Sequence, residues 1–249
     1  MKEERFLEID FARGIAVLMM IIFHFIFDLY YFLNIKLIKN YLFWFFFPRL
    51  VASIFILISG ICIYISYKRS IKDMNRNKIF FKFLKRGIKI FSLGVLITII
   101  TFIFLKNDFI IFGILHFLGV SSIIAYPFLR FNKLNFIFGF FFILIGLFLF
   151  QLSFNFSYLL FLGLAPRNFS SLDYFPIFPW FGLILIGIYL GNVFYRDGRR
   201  SFKIRKISSF KFVKLFAFLG KNSLKIYFLH QPIIVLIIFL FISLLPKFL

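Results

Sequence analysis

Residues 13–32 read RGIAVLMMIIFHFIFDLYYF. The stretch has the length and apolarity of a helix that crosses a bilayer, for which about 20 residues suffice. Yet it carries Arg13 at its start, His24 in its middle and Asp28 one turn later. Ionisable groups at membrane depth are costly, so they point to function and must face the protein interior. On a helix advancing about 100° per residue, Asp10, Arg13, His24 and Asp28 fall within an arc of roughly 60°. Arg13 and His24 are eleven residues apart, or roughly 16 Å along the axis. The spacing lets His24 and Asp28 touch, and Asp10 and Arg13 likewise. A carboxylate beside an imidazole would fix its tautomer and raise its basicity, as a general base requires.

The rest of the chain agrees with a membrane setting. Of 249 residues, 62% are hydrophobic and 46 are phenylalanine. The mean hydropathy is +0.99. Soluble domains average nearer half apolar. The expected fold class is therefore all-α, a polytopic transmembrane helix bundle. Apolar runs at 11–33, 44–66, 84–105, 110–129, 134–152, 177–195 and 223–245 make about seven helices. No small-residue cleavage site follows the first run, which reads as a retained helix. Segment 154–165 is apolar but too short to span, and suits a re-entrant or interfacial position. With no linker, repeat or soluble tail, residues 1–249 read as a single transmembrane domain.

The net charge of +21 suggests nucleic acid only until its distribution is inspected. Lys68, Arg69, Lys72, Arg76, Lys78, Lys82, Lys85 and Arg86 lie between the second and third runs. Arg196, Arg199, Arg200, Lys203, Arg205, Lys206, Lys211 and Lys214 lie between the sixth and seventh. Arg130 and Lys133 follow the fourth. The alternate connections hold only Lys36 and Lys39, then Lys106, then Arg167, then Lys247. This alternation fits seven spans and the positive-inside rule, with the N-terminus cytoplasmic and the C-terminus outside a cell membrane. It excludes nucleic acid as the reason for the charge. A lipid-facing surface so rich in Phe leaves room for a homodimer.

The chain has three histidines, His24, His116 and His230, all in apolar runs, and a single cysteine, Cys62. No two histidines have zinc-site spacing, so no metal is expected. Asn222 and Ser223 suit a cap for the last helix. Asp173 is the only carboxylate of its outer loop, positioned for substrate or for water. The basic clusters suit a phosphorylated ligand, and positive-inside alone also explains them.

Four segments carry a resemblance: RFLEIDFARGIAVLMMIIFHFIFDL (5–29), FGILHFLGVSSIIAYPFL (112–129), FPIFPWFGLILIGIYLG (175–191) and LGKNSLKIYFLHQPII (219–234). Together they resemble the heparan-alpha-glucosaminide N-acetyltransferase catalytic-domain family in its short prokaryotic form. That family is similar to a broader group of membrane acyltransferases whose first helix carries an Arg, ten intervening residues and a His. Arg13 and His24 match this spacing. The resemblance implies acyl transfer from cytoplasmic acetyl-CoA to a sugar or glycan-type hydroxyl or amine at the outer face. On that reading His24, Asp28 and His116 are the candidate catalytic residues. Arg13, Arg86 and Lys225 are candidate contacts for the acyl-CoA, and Asp173 and His230 for the acceptor. The loop 33–43 lacks the histidine found there in the lysosomal branch, so a glucosaminide acceptor and an acetyl-histidine route are not carried over. Two rivals use the same buried groups: a proton-coupled transporter, and a non-catalytic membrane partner.

Overall fold

The computed structural model describes residues 5–105, 108–203 and 210–244. Lys106, Arg205, Lys206 and Lys247 of the charge pattern lie outside the described residues. Among the described residues there are eight α-helices and no strand: α1 (Leu7–Leu33), α2 (Tyr41–Ser70), α3 (Arg76–Leu105), α4 (Ile114–Phe128), α5 (Leu134–Leu149), α6 (Ile177–Phe194), α7 (Lys211–Lys221) and α8 (Ser223–Leu244). Five of them, α1, α2, α3, α6 and α8, are long and apolar enough to cross a membrane, and α4 and α5 are shorter apolar helices. The protein is thus a multi-pass, all-helical membrane protein.

The seven apolar runs correspond to α1–α6 and α8. The eighth helix, α7, lies in the basic connection, where no span was expected. Several boundaries move toward charged sequence, the start of α3 the furthest. α1 begins at Leu7, because Glu8 and Asp10 suit the positive end of a helix dipole. It ends at Leu33, as the run does, capped by Asn34, which takes the left-handed conformation (φ 54°) and donates its N–H to the Tyr30 carbonyl at 3.0 Å. α3 reaches back to Arg76, so Lys78 and Lys82 ride on the same helix as Lys85 and Arg86 rather than in a loop. Segment 154–165 holds a single 3₁₀ turn, Leu160–Leu162, and its ends meet where Phe154 N–H donates to Ala165 O at 3.2 Å.

The chain divides into two compact units, residues 1–55 with 204–249, and residues 56–203. In the first unit α1 packs against α7 and α8. The α1–α7 crossing is tight: a Cβ on Gly14 would strike the Phe216 carbonyl, and one on Gly220 the Asp10 carbonyl. Small residues let helix backbones approach where lipid supplies no hydrophobic drive. Phe11 meets the edges of Phe212 and Phe216 beside this crossing. Trp44, at the start of α2, packs on Phe23 and Phe27 of α1 and donates its indole N–H to Ile38 O at 3.0 Å.

In the second unit α3 pairs with α4, α5 with α6, and α4 touches α6. Glycine pairs again bring the helices together, Gly87 with Gly119 and Gly139 with Gly182. Tyr64, 1% exposed, donates to Asn192 Oδ1 at 2.6 Å and ties α2 to α6.

Candidate active site

The polar stripe of α1 meets α8 within the first unit. The His24 and His230 rings stand edge to face, with centroids 4.6 Å apart. Each ring is held by a carbonyl of its own helix. His24 Nδ1 lies 2.9 Å from Met20 O, and His230 Nδ1 lies 2.6 Å from Tyr227 O. A carbonyl oxygen only accepts, so both Nδ1 atoms carry a proton, and in the neutral form each ring presents its lone pair at Nε2. His230 Nε2 is buried without a hydrogen-bond partner, as is Gln231 Oε1 beside it. Unpartnered polar atoms at membrane depth are expensive, which makes this pair a candidate contact for a ligand.

Asp28 is 1% exposed. Its partner is Gln231, whose Nε2 donates to both carboxylate oxygens at 2.8 and 2.9 Å. The expected contact between Asp28 and His24 is not made. A helical side chain leans toward the helix N-terminus, which carries the His24 ring toward Met20 and away from Asp28. The carboxylate is instead satisfied from α8. Gln231 was given no role from sequence; its position beside His230 was the only local signal, and its partner lies 203 residues away.

Phe23 and Tyr227 wall the pair, Phe23 against His24 and Tyr227 against His230. Nearer the start of α1, Arg13 pairs with Asp10 at 3.3 Å, and Arg5 approaches the same carboxylate at 3.8 Å. Arg86 on α3 and Lys225 on the first turn of α8 are exposed. Asn222 does not cap α8 with its side chain; its Nδ2 donates to Phe218 O at 3.0 Å and closes α7.

The third histidine belongs to the second unit and is bound differently. His116 is 4% exposed. Its Nδ1 accepts the Gly113 N–H at 3.2 Å, and its Nε2 lies 3.3 Å from Thr98 Oγ1. Thr98 Oγ1 in turn donates to Ile110 O at 2.6 Å. Both ring nitrogens are therefore engaged in fastening the start of α4. Asp173 works on the same turn: its Oδ2 accepts the Ile114 N–H at 2.9 Å, so a carboxylate from a distant loop caps the helix. Close by, Tyr174 donates to Leu160 O at 2.7 Å, and burial pushes its phenol up to about 12. His24, Asp28, His230 and Gln231 thus form one cluster, and His116 with Asp173 another.

The family model for heparan-alpha-glucosaminide N-acetyltransferase, catalytic, matches residues 5–232. The chain belongs to that family. The match runs from the first described residue of α1's approach through His230, Gln231 and Pro232. No curated protein and no solved structure matches the chain. Membership in this transferase family, with its apolar helices, makes the chain a membrane protein of the acetyltransferase type.

Proposed function

We propose that the protein moves an acetyl group from cytoplasmic acetyl-CoA to a hydroxyl or amine, of sugar or glycan type, at the outer face of a cell membrane. The observation that carries this reading is the His24 ring. Its Nδ1–H is held by Met20, so its basic Nε2 is aimed away from its own helix. His24 stands roughly 26 Å along α1 from Leu7. With the N-terminus cytoplasmic, as the charge asymmetry suggests, that depth supports a base on the acceptor side.

The chemistry follows. His24 Nε2 takes the proton from the acceptor O–H or N–H as that atom attacks the thioester carbonyl. The tetrahedral intermediate collapses, the C–S bond breaks, and the imidazolium returns its proton to the departing thiolate. The products are the acylated acceptor and CoA. General-base assistance of this kind contributes roughly 10²- to 10⁴-fold. Asp28, held by Gln231, offers a negative charge one turn away to the imidazolium as it forms. His230 offers its own Nε2 lone pair to an acceptor hydroxyl. Arg13, with Lys225 of the same unit, would meet the anionic part of the donor. His116 has no part in this scheme, since its ring is already occupied at both nitrogens.

Two facing imidazoles also favour a second reading, a proton relay in a transporter. One experiment separates the two. Detergent-purified protein is melted with acetyl-CoA, CoA or ATP, in wild type and in Arg13→Ala. A ligand bound only by the folded state stabilises by RT ln(1 + [L]/Kd). The transferase reading expects a concentration-dependent rise of several degrees with acetyl-CoA, absent with ATP and reduced in Arg13→Ala. No shift at millimolar acetyl-CoA, with proton flux in liposomes, would replace it with the relay.

A further inference from the structure

The helix α7, KFVKLFAFLGK, is too short to span and too apolar for a solvated loop. At about 100° per residue its surface divides into three arcs. Val213 and Gly220 are buried toward α1, with Phe216 against Phe11. Lys211, Lys214 and Lys221 share a second arc. Phe212 and Leu215 share the third, and Phe218 lies among the lysines. These three apolar side chains are 53%, 58% and 62% exposed. Positive-inside accounts for the lysines, but it gives no reason for a bare aromatic stripe beside them. An amphipathic helix with lysines next to exposed Phe and Leu is the composition of a segment lying in a membrane interface.

Beside α7 lies a groove of about 380 Å³. Arg5, Lys214 and Lys221 line it with cationic groups, and Leu7 and Phe218 with apolar ones. Its one carboxylate, Asp10, is already shared between Arg13 and Arg5. Among the described residues no carboxylate pairs with Lys214 or Lys221. The groove therefore offers uncompensated positive charge next to apolar wall, a lining that suits an amphiphile with an anionic head.

We propose that this groove holds the phosphate-bearing headgroup of an anionic phospholipid, from the leaflet at the α1 N-terminal end, with α7 lying in that interface. A soluble phosphate compound would satisfy the cations but would leave Phe212 and Leu215 in water. A bilayer accounts for both, with a lipid headgroup at the groove and the surrounding acyl chains against the stripe on the other side of α7. The proposal does not rest on the transferase reading.

The test uses full-length protein in mixed micelles of phosphatidylcholine and phosphatidylglycerol, with bound lipid counted by native mass spectrometry. Wild type should retain phosphatidylglycerol over phosphatidylcholine. Each basic group near a membrane surface is worth roughly a fivefold factor. Lys214→Gln/Lys221→Gln should therefore weaken retention about tenfold or more, with an unchanged melting midpoint in phosphatidylcholine alone. Phe212→Ser/Leu215→Ser should weaken it as well, because the apolar stripe seats α7, and with it the groove, in the interface. Lys36→Gln/Lys39→Gln, with the same charge change elsewhere, should retain it. Equal retention in wild type, the groove variant and the stripe variant would overturn the proposal. So would displacement of the lipid by millimolar inorganic phosphate, which would assign the groove to a free anion.

Discussion

His24 and His116 are the same residue in two apolar helices, yet their nitrogens are used in opposite ways. His116 spends both on local structure, one accepting from the Gly113 backbone and one facing Thr98. His24 spends one on Met20 and keeps the other as a lone pair, opposite a second imidazole in the same state. A histidine in a membrane segment is therefore not a functional residue by virtue of its depth. On the proposed function, what matters is whether a basic nitrogen is left over once the backbone has been satisfied.

Three substitutions sharpen this contrast. The largest effect is expected from His24→Ala. Transfer should fall by about 10²- to 10⁴-fold, read as CoA release with acceptor present, while the melting midpoint stays near wild type. Near-normal turnover would erase the distinction between the two rings. His116→Ala should do the reverse. Losing a buried ring that fastens the start of α4 should cost about 1–3 kcal/mol of stability, seen as a lower melting midpoint, with turnover per folded molecule retained. A collapse in turnover without a change in melting would restore a chemical role to His116. The smallest effect is expected from Asp173→Asn, about 1 kcal/mol, since the amide oxygen still accepts from Ile114 N–H but the charge at the helix N-terminus is gone. A raised KM for acceptor at unchanged stability would instead make Asp173 a substrate contact.

Much of the fold was legible because membrane helices announce themselves as long apolar runs, and all seven runs are helices. The polar stripe on α1 was legible for the same reason: charge stands out against Phe, Leu and Ile. α7 was hidden because its apolar residues are interrupted by lysines at Lys211 and Lys214 and never form a span-length run. The partner of Asp28 was hidden because Gln231 comes from α8, and no periodicity on α1 reports which residue of another helix arrives there. The capping role of His116 was hidden as well. Gly113 contributes a backbone N–H rather than a side chain, and Asp173 reaches α4 from a loop 59 residues on.

The bond from His24 to Met20 has one more consequence. The ring is oriented by main chain, so the identity of the side chain at position 20 does not enter. Any residue that keeps α1 helical supplies the same carbonyl at the same height. Tautomer and aim are in this way inherited from secondary structure. No buried carboxylate has to be kept charged in a hydrocarbon setting for the imidazole to point the right way.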